Sequence, residues 1–144
     1  MTAAIFGLLG VIVGGVLNGL VTLLLDGHRR KQELRTAARL VIFEFGTCAS
    51  AIQNALEDER WSLTARDLLR TGHWDGNQAL LAAGTDDETW VKLSSAALQI
   101  GLVRVFAETV TPDRELVSDD TEWMRGIHLE INEARDSAAP FAFG

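Results

Sequence analysis

Hydrophobic and polar positions divide the chain into an uncharged N-terminal run and a longer part in which apolar residues recur every three or four positions. The run covers residues 3–25, where only Asn18 and Thr22 are polar. As a helix it would extend about 34 Å, enough to cross a hydrocarbon core about 30 Å thick. The pattern predicts an uncleaved transmembrane helix. A buried core helix and a signal peptide fit less well, because the run is long, has no basic start and ends in leucines.

The next predicted element is a long amphipathic helix from His28 to about Asp58. Its apolar residues follow steps of three and four, which places them on one stripe: Leu34, Ala38, Val41, Phe45, Cys48, Ile52 and Leu56. Leu40, Ile42 and Phe43 broaden that stripe, as expected for a helix that packs on more than one neighbour. Asp26-Gly27 is the predicted break between the two helices, since glycine lowers helix persistence.

Residues 60–84 have the least regular pattern. A capping motif at Thr64 predicts a short helix that Gly72 stops. Residues 73–76 are predicted to form a loop. Asn77 then caps a further short helix that Gly84 ends.

Two longer helices are predicted after this stretch. Thr85-Asp86-Asp87-Glu88 is a capping box, and the helix it opens is expected to reach about Glu108. Pro112 stands in the first turn of a last amphipathic helix that ends near Arg135. The first of the two helices is expected to bury the following residues: Trp90, Leu93, Ala97, Leu98, Leu102, Val105 and Phe106.

These elements predict an all-α protein, because no stretch alternates over the length of a strand. The expected architecture is an N-terminal transmembrane helix followed by a long helix and a small helical bundle. The predicted organisation is a transmembrane anchor at 1–27, a cytoplasmic helical bundle at 28–136 and a loose C-terminal tail at 137–144. Pro140 is the reason for ending the last helix before the tail.

Small and polar residues of the predicted anchor fall on one half of the helix: Gly7, Gly10, Gly14, Gly15, Asn18, Gly19 and Thr22. Within this half, Gly10 and Gly14 are spaced by four, as are Gly15 and Gly19. Such pairs let two membrane helices approach closely, and a mid-span asparagine can hydrogen-bond across the contact. The pattern predicts an interface with a second copy or with another membrane protein. The alternative is that glycine is simply common in membrane spans.

The chain of 144 residues has a formal net charge of −7, from 13 Lys and Arg against 20 Asp and Glu. This acidity disfavours nucleic acid as a partner. The basic residues that follow the anchor are Arg29, Arg30, Lys31 and Arg35. By the positive-inside rule they place the N-terminus outside and the C-terminal body in the cytoplasm of a cell membrane. They can also attract anionic lipid headgroups of the bilayer.

Groups with catalytic or metal-binding chemistry are sparse. The three histidines, His28, His73 and His128, have no partner at ligand spacing, and a single cysteine cannot form a cysteine-based zinc site. Cys48 lies on the apolar stripe, where a buried and inert thiol is expected. The four tryptophans are expected to anchor the core. The sequence therefore predicts no catalytic, metal or cofactor site, and a protein that is not an enzyme.

The order of these features resembles a loose group of small bacterial single-pass membrane proteins. The resemblance rests on the uncharged span, the His-Arg-Arg-Lys exit, the Arg-x-x-Ala-Arg-Leu-x-x-x-Glu-Phe stretch from Arg35 to Phe45, and the Thr-x-x-x-x-Trp helix start from Thr85 to Trp90. It covers most of the chain as a pattern of composition and order. It implies an N-terminal anchor with a helical cytoplasmic domain, and no activity.

Together these features favour a membrane-anchored, non-enzymatic interaction or structural protein that self-associates or joins a complex through the glycine face. The first alternative is a membrane-active oligomer, such as a phage-type lysis or pore component. A large folded body after a single span argues against it. A second alternative is an enzyme or ligand sensor whose site the sequence does not reveal.

Overall fold

The computed structural model describes residues 2–110 and 114–144, with side chains from residue 21 onward except those of residues 63 and 64. The described part is all-helical, as predicted. Its helices are α1 (Thr2–Glu57), α2 (Leu63–Leu68), α3 (Gly72–Gly84), α4 (Asp87–Thr109) and α5 (Ser118–Phe143). The predicted start of a helix at Thr111-Pro112 lies outside the described residues, and α5 begins at Ser118.

Helix α1 is continuous through Asp26-Gly27, so the predicted break at these two residues is wrong. One glycine costs a helix only about 1 kcal/mol relative to alanine, and the residues on both sides favour helix. The predicted end near Asp58 is confirmed, since α1 ends at Glu57. The chain forms two compact units, and the division falls inside α1, between Glu33 and Leu34.

The second unit, Leu34–Gly144, contains the core. The predicted stripe of α1 is confirmed: Ala38, Val41, Phe45, Cys48 and Ile52 are buried, and Leu34 and Leu56 at its ends are half-buried. Each fully buried aliphatic or aromatic side chain contributes about 1.5–3 kcal/mol of transfer free energy. This stripe is therefore the main link between α1 and the other helices of the unit.

Residues 73–76 belong to α3, so the loop predicted there is wrong. The cause is a carboxylate from another helix. Glu44 of α1 accepts the backbone N–H of His73 at 2.9 Å and that of Trp74 at 2.9 Å. These are two of the N–H groups that a helix cannot satisfy within its first turn. A distant residue thus starts α3 at Gly72, six residues before the start that a cap at Asn77 predicts.

Helices α4 and α5 form an antiparallel pair. The Thr89 hydroxyl donates to the Ser137 carbonyl at one end, and the rings of Phe106 and Trp123 lie 5.5 Å apart at the other. The predicted start of α4 is nearly right, because Asp86 caps it through the N–H of Thr89 at 2.7 Å.

The face that α4 buries differs from the prediction. Leu93 is buried as expected, Trp90, Ala97 and Phe106 are half-buried, and Leu98, Leu102 and Val105 are exposed. The buried residues of the helix are Thr89, Leu93, Ala96, Ile100, Val103 and Ala107. Helix α4 is apolar on two opposite sides, so hydropathy alone cannot select the side that meets the core.

Helix α5 continues to Phe143, so the loose tail predicted at 137–144 is wrong. Ala138 and Ala142 are buried in the core, which stabilises the last turns. Pro140 lies inside the helix, where it removes one backbone hydrogen bond. The carbonyl of Ala142 accepts a hydrogen bond from Arg39 of α1 at 2.9 Å, which ties the helix end to the core.

The described residues include one helix long and apolar enough to cross a membrane, and it is α4. This is weak support for a membrane location, because the core helix of a soluble protein meets the same criteria. The predicted span at residues 3–25 falls largely where only the helical backbone of α1 is described.

Candidate interaction groove between α1 and α5

The predicted transmembrane interface lies almost wholly in the part of α1 whose side chains are not described. This applies to Gly7, Gly10, Gly14, Gly15, Asn18 and Gly19, whereas Thr22 is described and exposed. The apolar residues next to Thr22 are exposed too: Val21 at 51%, Leu23 at 71%, Leu24 at 65% and Leu25 at 59%.

The basic residues predicted to face lipid headgroups divide into two kinds. Arg29, Arg30 and Lys31 are exposed on α1 and form no ion pair with any described residue. Arg35 is exposed as well, but its guanidinium donates a hydrogen bond to the carbonyl of Gly144. Arg35 thus contacts the end of α5, an interaction that its position beside the basic cluster does not reveal.

Cys48 is fully buried, which confirms the expectation from its place on the stripe. Its Sγ lies 3.6 Å from the carbonyl oxygen of Leu68 and 3.5 Å from that of Arg70, so the single S–H is shared between these two acceptors. Burial, opposed by the hydrogen bond to Arg70 and reinforced by the charge of Glu44, raises the pKa of the Cys48 thiol to about 12. The side chain therefore stays protonated and non-nucleophilic at neutral pH.

No group of three or more His, Cys, Asp or Glu side chains that could hold a metal ion occurs in the part of the chain that the structure describes. A polar hollow of about 460 Å³ beside α2 has Arg66, Arg70 and Arg104 on its walls. The same walls carry Asp67, Asp75 and Glu108, so the hollow has no excess of either charge.

A groove of about 570 Å³ between α1 and α5 has a different character. Its lining residues are Arg39, Ile42, Phe43, Gly46, Thr47, Ser50, Arg135 and Phe143. Those from α1 recur at steps of three and four, so one side of three helical turns forms most of the floor. The lining contains two arginines and no carboxylate, although the chain as a whole has a net charge of −7.

The guanidinium of Arg135 packs against α1 at Gly46, where the lack of a side chain leaves space for it. A Cβ at Gly46 would lie 3.2 Å from both Cζ and Nη2 of Arg135, which is closer than ordinary contact. The Nη1 of Arg135 donates to the Asn132 side chain at 2.8 Å, and Asn132 donates to the His128 carbonyl at 3.0 Å. The guanidinium is therefore fixed before any partner binds.

The Nε of Arg135 is buried and has no acceptor among the described residues. Neither Arg135 nor Arg39 forms an ion pair with a carboxylate in the described ranges. A buried donor without an acceptor costs roughly 1–3 kcal/mol, so such groups are rare in folded proteins. Arg135 is thus a positioned cation whose hydrogen-bonding capacity the described part of the chain leaves partly unused.

Two exposed phenyl rings border the groove. Phe43 of α1 is 73% exposed and Phe143 of α5 is 68% exposed, the two most exposed aromatic side chains described. The guanidinium carbon of Arg39 lies 5.5 Å from the centre of the Phe143 ring, within the range of a cation–π interaction. The groove therefore combines apolar rings with guanidinium groups.

The sequence pattern places Phe43 within the broadened stripe and identifies neither Arg135 nor Phe143. The available signal was the position of Phe43, since a phenylalanine at the edge of a well-defined stripe can project out of the core. Nothing in the sequence pairs Gly46 with Arg135, because 89 positions separate them. Only the packing of α5 on α1 brings the two together.

A second exposed apolar surface lies on α4. Its members share the side opposite the core: Val91 at 63%, Leu98 at 66%, Leu102 at 47% and Val105 at 58% exposed. The described residues leave this side uncovered, and it has no charged side chain among its members to indicate what it meets.

Comparison with known proteins gives no relative from which a function can be transferred. No protein-family model, no curated protein sequence and no solved structure matches the chain.

Proposed function

We propose that this chain is a membrane-anchored, non-enzymatic interaction protein. Residues 3–25 hold it in the bilayer, and the helical body from Leu34 to Gly144 binds a partner. The observation that carries the proposal is the exposure of Leu23, Leu24 and Leu25, three consecutive large apolar side chains at the end of an uncharged run. Contiguous exposed apolar surface is disfavoured in water and is typical of a protein or membrane contact.

The membrane is the favoured environment because of what surrounds these leucines. Helix α1 continues without interruption from residue 2, so the uncharged run has the hydrogen-bonded backbone that a bilayer requires. Immediately after the run, Arg29, Arg30 and Lys31 are exposed and free of ion pairs to described residues. This order supports a body on the cytoplasmic side, with the basic residues at the level of the lipid headgroups.

Extraction of membranes with alkaline carbonate tests the anchor. We expect the full chain to stay in the membrane pellet, and the double substitution Val13→Arg and Leu17→Arg to release it, since each arginine near the helix centre costs insertion about 2.5–3.5 kcal/mol. Val91→Arg and Leu98→Arg on α4 are the matched control and should leave the chain in the pellet. Release of the unsubstituted chain by carbonate would contradict the anchor.

Association of the span is a separate part of the proposal. Replacing Gly14 and Gly19 with isoleucine should weaken helix association by keeping two backbones apart. A transmembrane reporter assay measures this, with Ile5→Leu and Leu20→Ile as changes on the opposite half that should have no effect. An unchanged signal after the glycine substitutions would eliminate the glycine face as an interface.

A further inference from the structure

We propose that the groove between α1 and α5 is a docking site for an amphipathic helix of another protein, one that carries Asp or Glu beside its apolar residues. The inference deepens the proposed function and rests on it, since it names the chemistry of the partner. The observations that carry it are two guanidinium groups that form no ion pair with a described carboxylate, the lack of any carboxylate in the lining, and the two exposed phenyl rings.

The positive charge of the groove disfavours a second copy of this chain that docks through the same groove. Residues 45–144 carry eight basic and seventeen acidic side chains, yet the groove lining has Arg39 and Arg135 and no acid. A second copy docking through the same groove would bring two more arginines against these two, and like charges in a desolvated contact repel. A partner with carboxylates supplies the missing complement.

The geometry of the cations fits a carboxylate. Arg135 uses Nη1 for Asn132, while its Nη2 lies beside Gly46 at the groove floor. A guanidinium held in place binds a carboxylate through charge-assisted hydrogen bonds and loses little conformational entropy when it does so. Arg39 is likewise held, by its bond to the Ala142 carbonyl and its contact with Phe143.

The shape of the groove fits a helix. The floor between Arg39 and Ser50 spans eleven residue steps of α1, or about 16 Å at the rise of an α-helix. That length accommodates three turns of a partner helix, whose apolar residues at steps of three and four would contact Phe43 and Phe143. The hydroxyl groups of Thr47 and Ser50 are uncharged and donate to backbone carbonyls of their own helix, so they do not compete with the arginines for a carboxylate.

Site-specific photo-crosslinking in living cells tests the docking site with the full chain. A benzophenone amino acid replaces Thr47 in the groove or, as a control, Leu98 on α4, and the crosslinked peptides are identified by mass spectrometry. We expect the Thr47 position to crosslink one segment of another protein whose sequence is amphipathic in a helix and contains Asp or Glu. We expect Leu98 not to crosslink that segment.

Substitutions of Arg135 test whether its positive charge contributes to binding of the partner. Arg135→Glu should reduce the yield of this crosslink at least about tenfold, because a carboxylate then faces a carboxylate. Arg135→Lys should retain part of it, since lysine keeps the charge without the planar fork. Arg125→Glu, on the exposed side of α5, should leave the yield unchanged. Thermal unfolding of each variant identifies a loss that comes from misfolding.

Gly46→Ala tests the positioning of Arg135 without changing charge. The added methyl displaces the guanidinium, and we expect a severalfold loss of the crosslink with little change in thermal stability, because the Cβ meets side-chain atoms of Arg135 and no backbone atom. Gly126→Ala is the matched control, as its Cβ would meet nothing within 4 Å.

Other outcomes overturn the docking site. Crosslinks from Thr47 to lipid, to a second copy of this chain or to a segment without acidic residues would do so. The same holds for the absence of any crosslinked polypeptide, or for a yield that Arg135→Glu leaves unchanged. Carbonate extraction of the same cells separates this failure from failure of the anchor, because a chain that stays in the membrane pellet without a groove crosslink contradicts the docking site alone.

Discussion

Helices α3 and α4 begin in different ways. The first turn of α4 is capped by its own neighbour, since the exposed Asp86 accepts the N–H of Thr89. The first turn of α3 is capped from α1, where Glu44 is 9% exposed and binds two N–H groups, 29 and 30 positions away. Thr71, which precedes α3, caps none of its backbone N–H groups, and its hydroxyl donates instead to the Asp75 carboxylate at 3.3 Å. One helix start is thus local, and the other depends on the assembled fold.

The difference explains which boundaries the sequence could predict. The cap of α4 is local, from Asp86 to the N–H of Thr89, so the predicted start of α4 is correct to within two residues. The predicted capping residue is wrong by one position, because the Thr85 hydroxyl donates to the Leu81 carbonyl of α3. For α3 the capping group belongs to the long helix that precedes it, so residues 73–76 resemble a loop. A local pattern cannot predict a cap supplied by tertiary packing.

Glu44→Ala should have the largest effect on stability. It leaves the buried N–H of Trp74 and the half-buried N–H of His73 without their acceptor, which we expect to lower the free energy of unfolding by about 3 kcal/mol. Chemical denaturation measures the loss. Hydrogen exchange at residues 73 and 74 should accelerate far more than exchange within α4.

Glu44→Gln is the control for this substitution. The amide has one oxygen in place of two, so it can cap one N–H and should lose less stability than alanine. Equal stability of Glu44→Ala and the unsubstituted protein would show that α3 does not depend on the cap from α1.

Cys48 lies one turn after Glu44 on α1 and contacts the segment before α3 through the carbonyls of Leu68 and Arg70. The pH dependence of stability that its buried thiol causes therefore tests the packing of α1 on this segment. Because burial raises the pKa of its thiol to about 12, the folded chain holds this proton above the pH at which the unfolded chain releases it, near pH 9. Stability from this group is complete below about pH 9 and is lost as the pH rises toward 12. The slope is about 1.4 kcal/mol per pH unit.

Denaturation at pH 8 and pH 10 checks this dependence against Cys48→Ala, which removes the thiol. We expect the difference in stability between the two proteins to shift in favour of Cys48→Ala at the higher pH. A difference that is the same at both pH values would mean that the thiol is not buried.

Asp86→Ala should have the smallest effect of the three, because its carboxylate is exposed and water can replace it. The hydrogen bonds from Thr89 lower the pKa of Asp86, so the cap contributes stability above the unfolded pKa near 3.8 and loses it as the pH falls further. The acid limb of the stability curve should be less steep in Asp86→Ala. Asp86→Ser retains a capping oxygen, so its stability should lie between those of Asp86→Ala and the unsubstituted protein. A loss of stability in Asp86→Ala larger than that in Glu44→Ala would contradict the comparison of the two helix starts.

Much of the fold follows from the sequence, whereas the groove does not. The stripe from Leu34 to Leu56 predicts α1 and its buried face, because the period of the helix alone determines it. Helix α4 has two apolar sides, and the sequence does not distinguish between them. Tertiary packing determines which of the two sides meets α5. The last turns of α5 persist past Pro140 because Ala138 and Ala142 are buried and Arg39 binds the helix end.

The groove combines residues that are distant in sequence. Gly46 and Arg135 have no local relation, and neither does Phe43 with Phe143. Their juxtaposition requires the antiparallel return of the chain from α4 to α5. The sequence pattern therefore predicts a protein interface only at the glycines of the anchor.

Protease protection is the most direct test of a membrane-anchored protein whose body faces the cytoplasm. The full chain, with a tag after Gly144, is expressed in a bacterial host, and protease is added to intact and to lysed spheroplasts before the membranes are pelleted. We expect the tagged body to survive in the pellet of intact spheroplasts and to disappear after lysis. Removal of the body by protease outside intact spheroplasts, or its recovery in the supernatant after lysis without protease, would contradict the account.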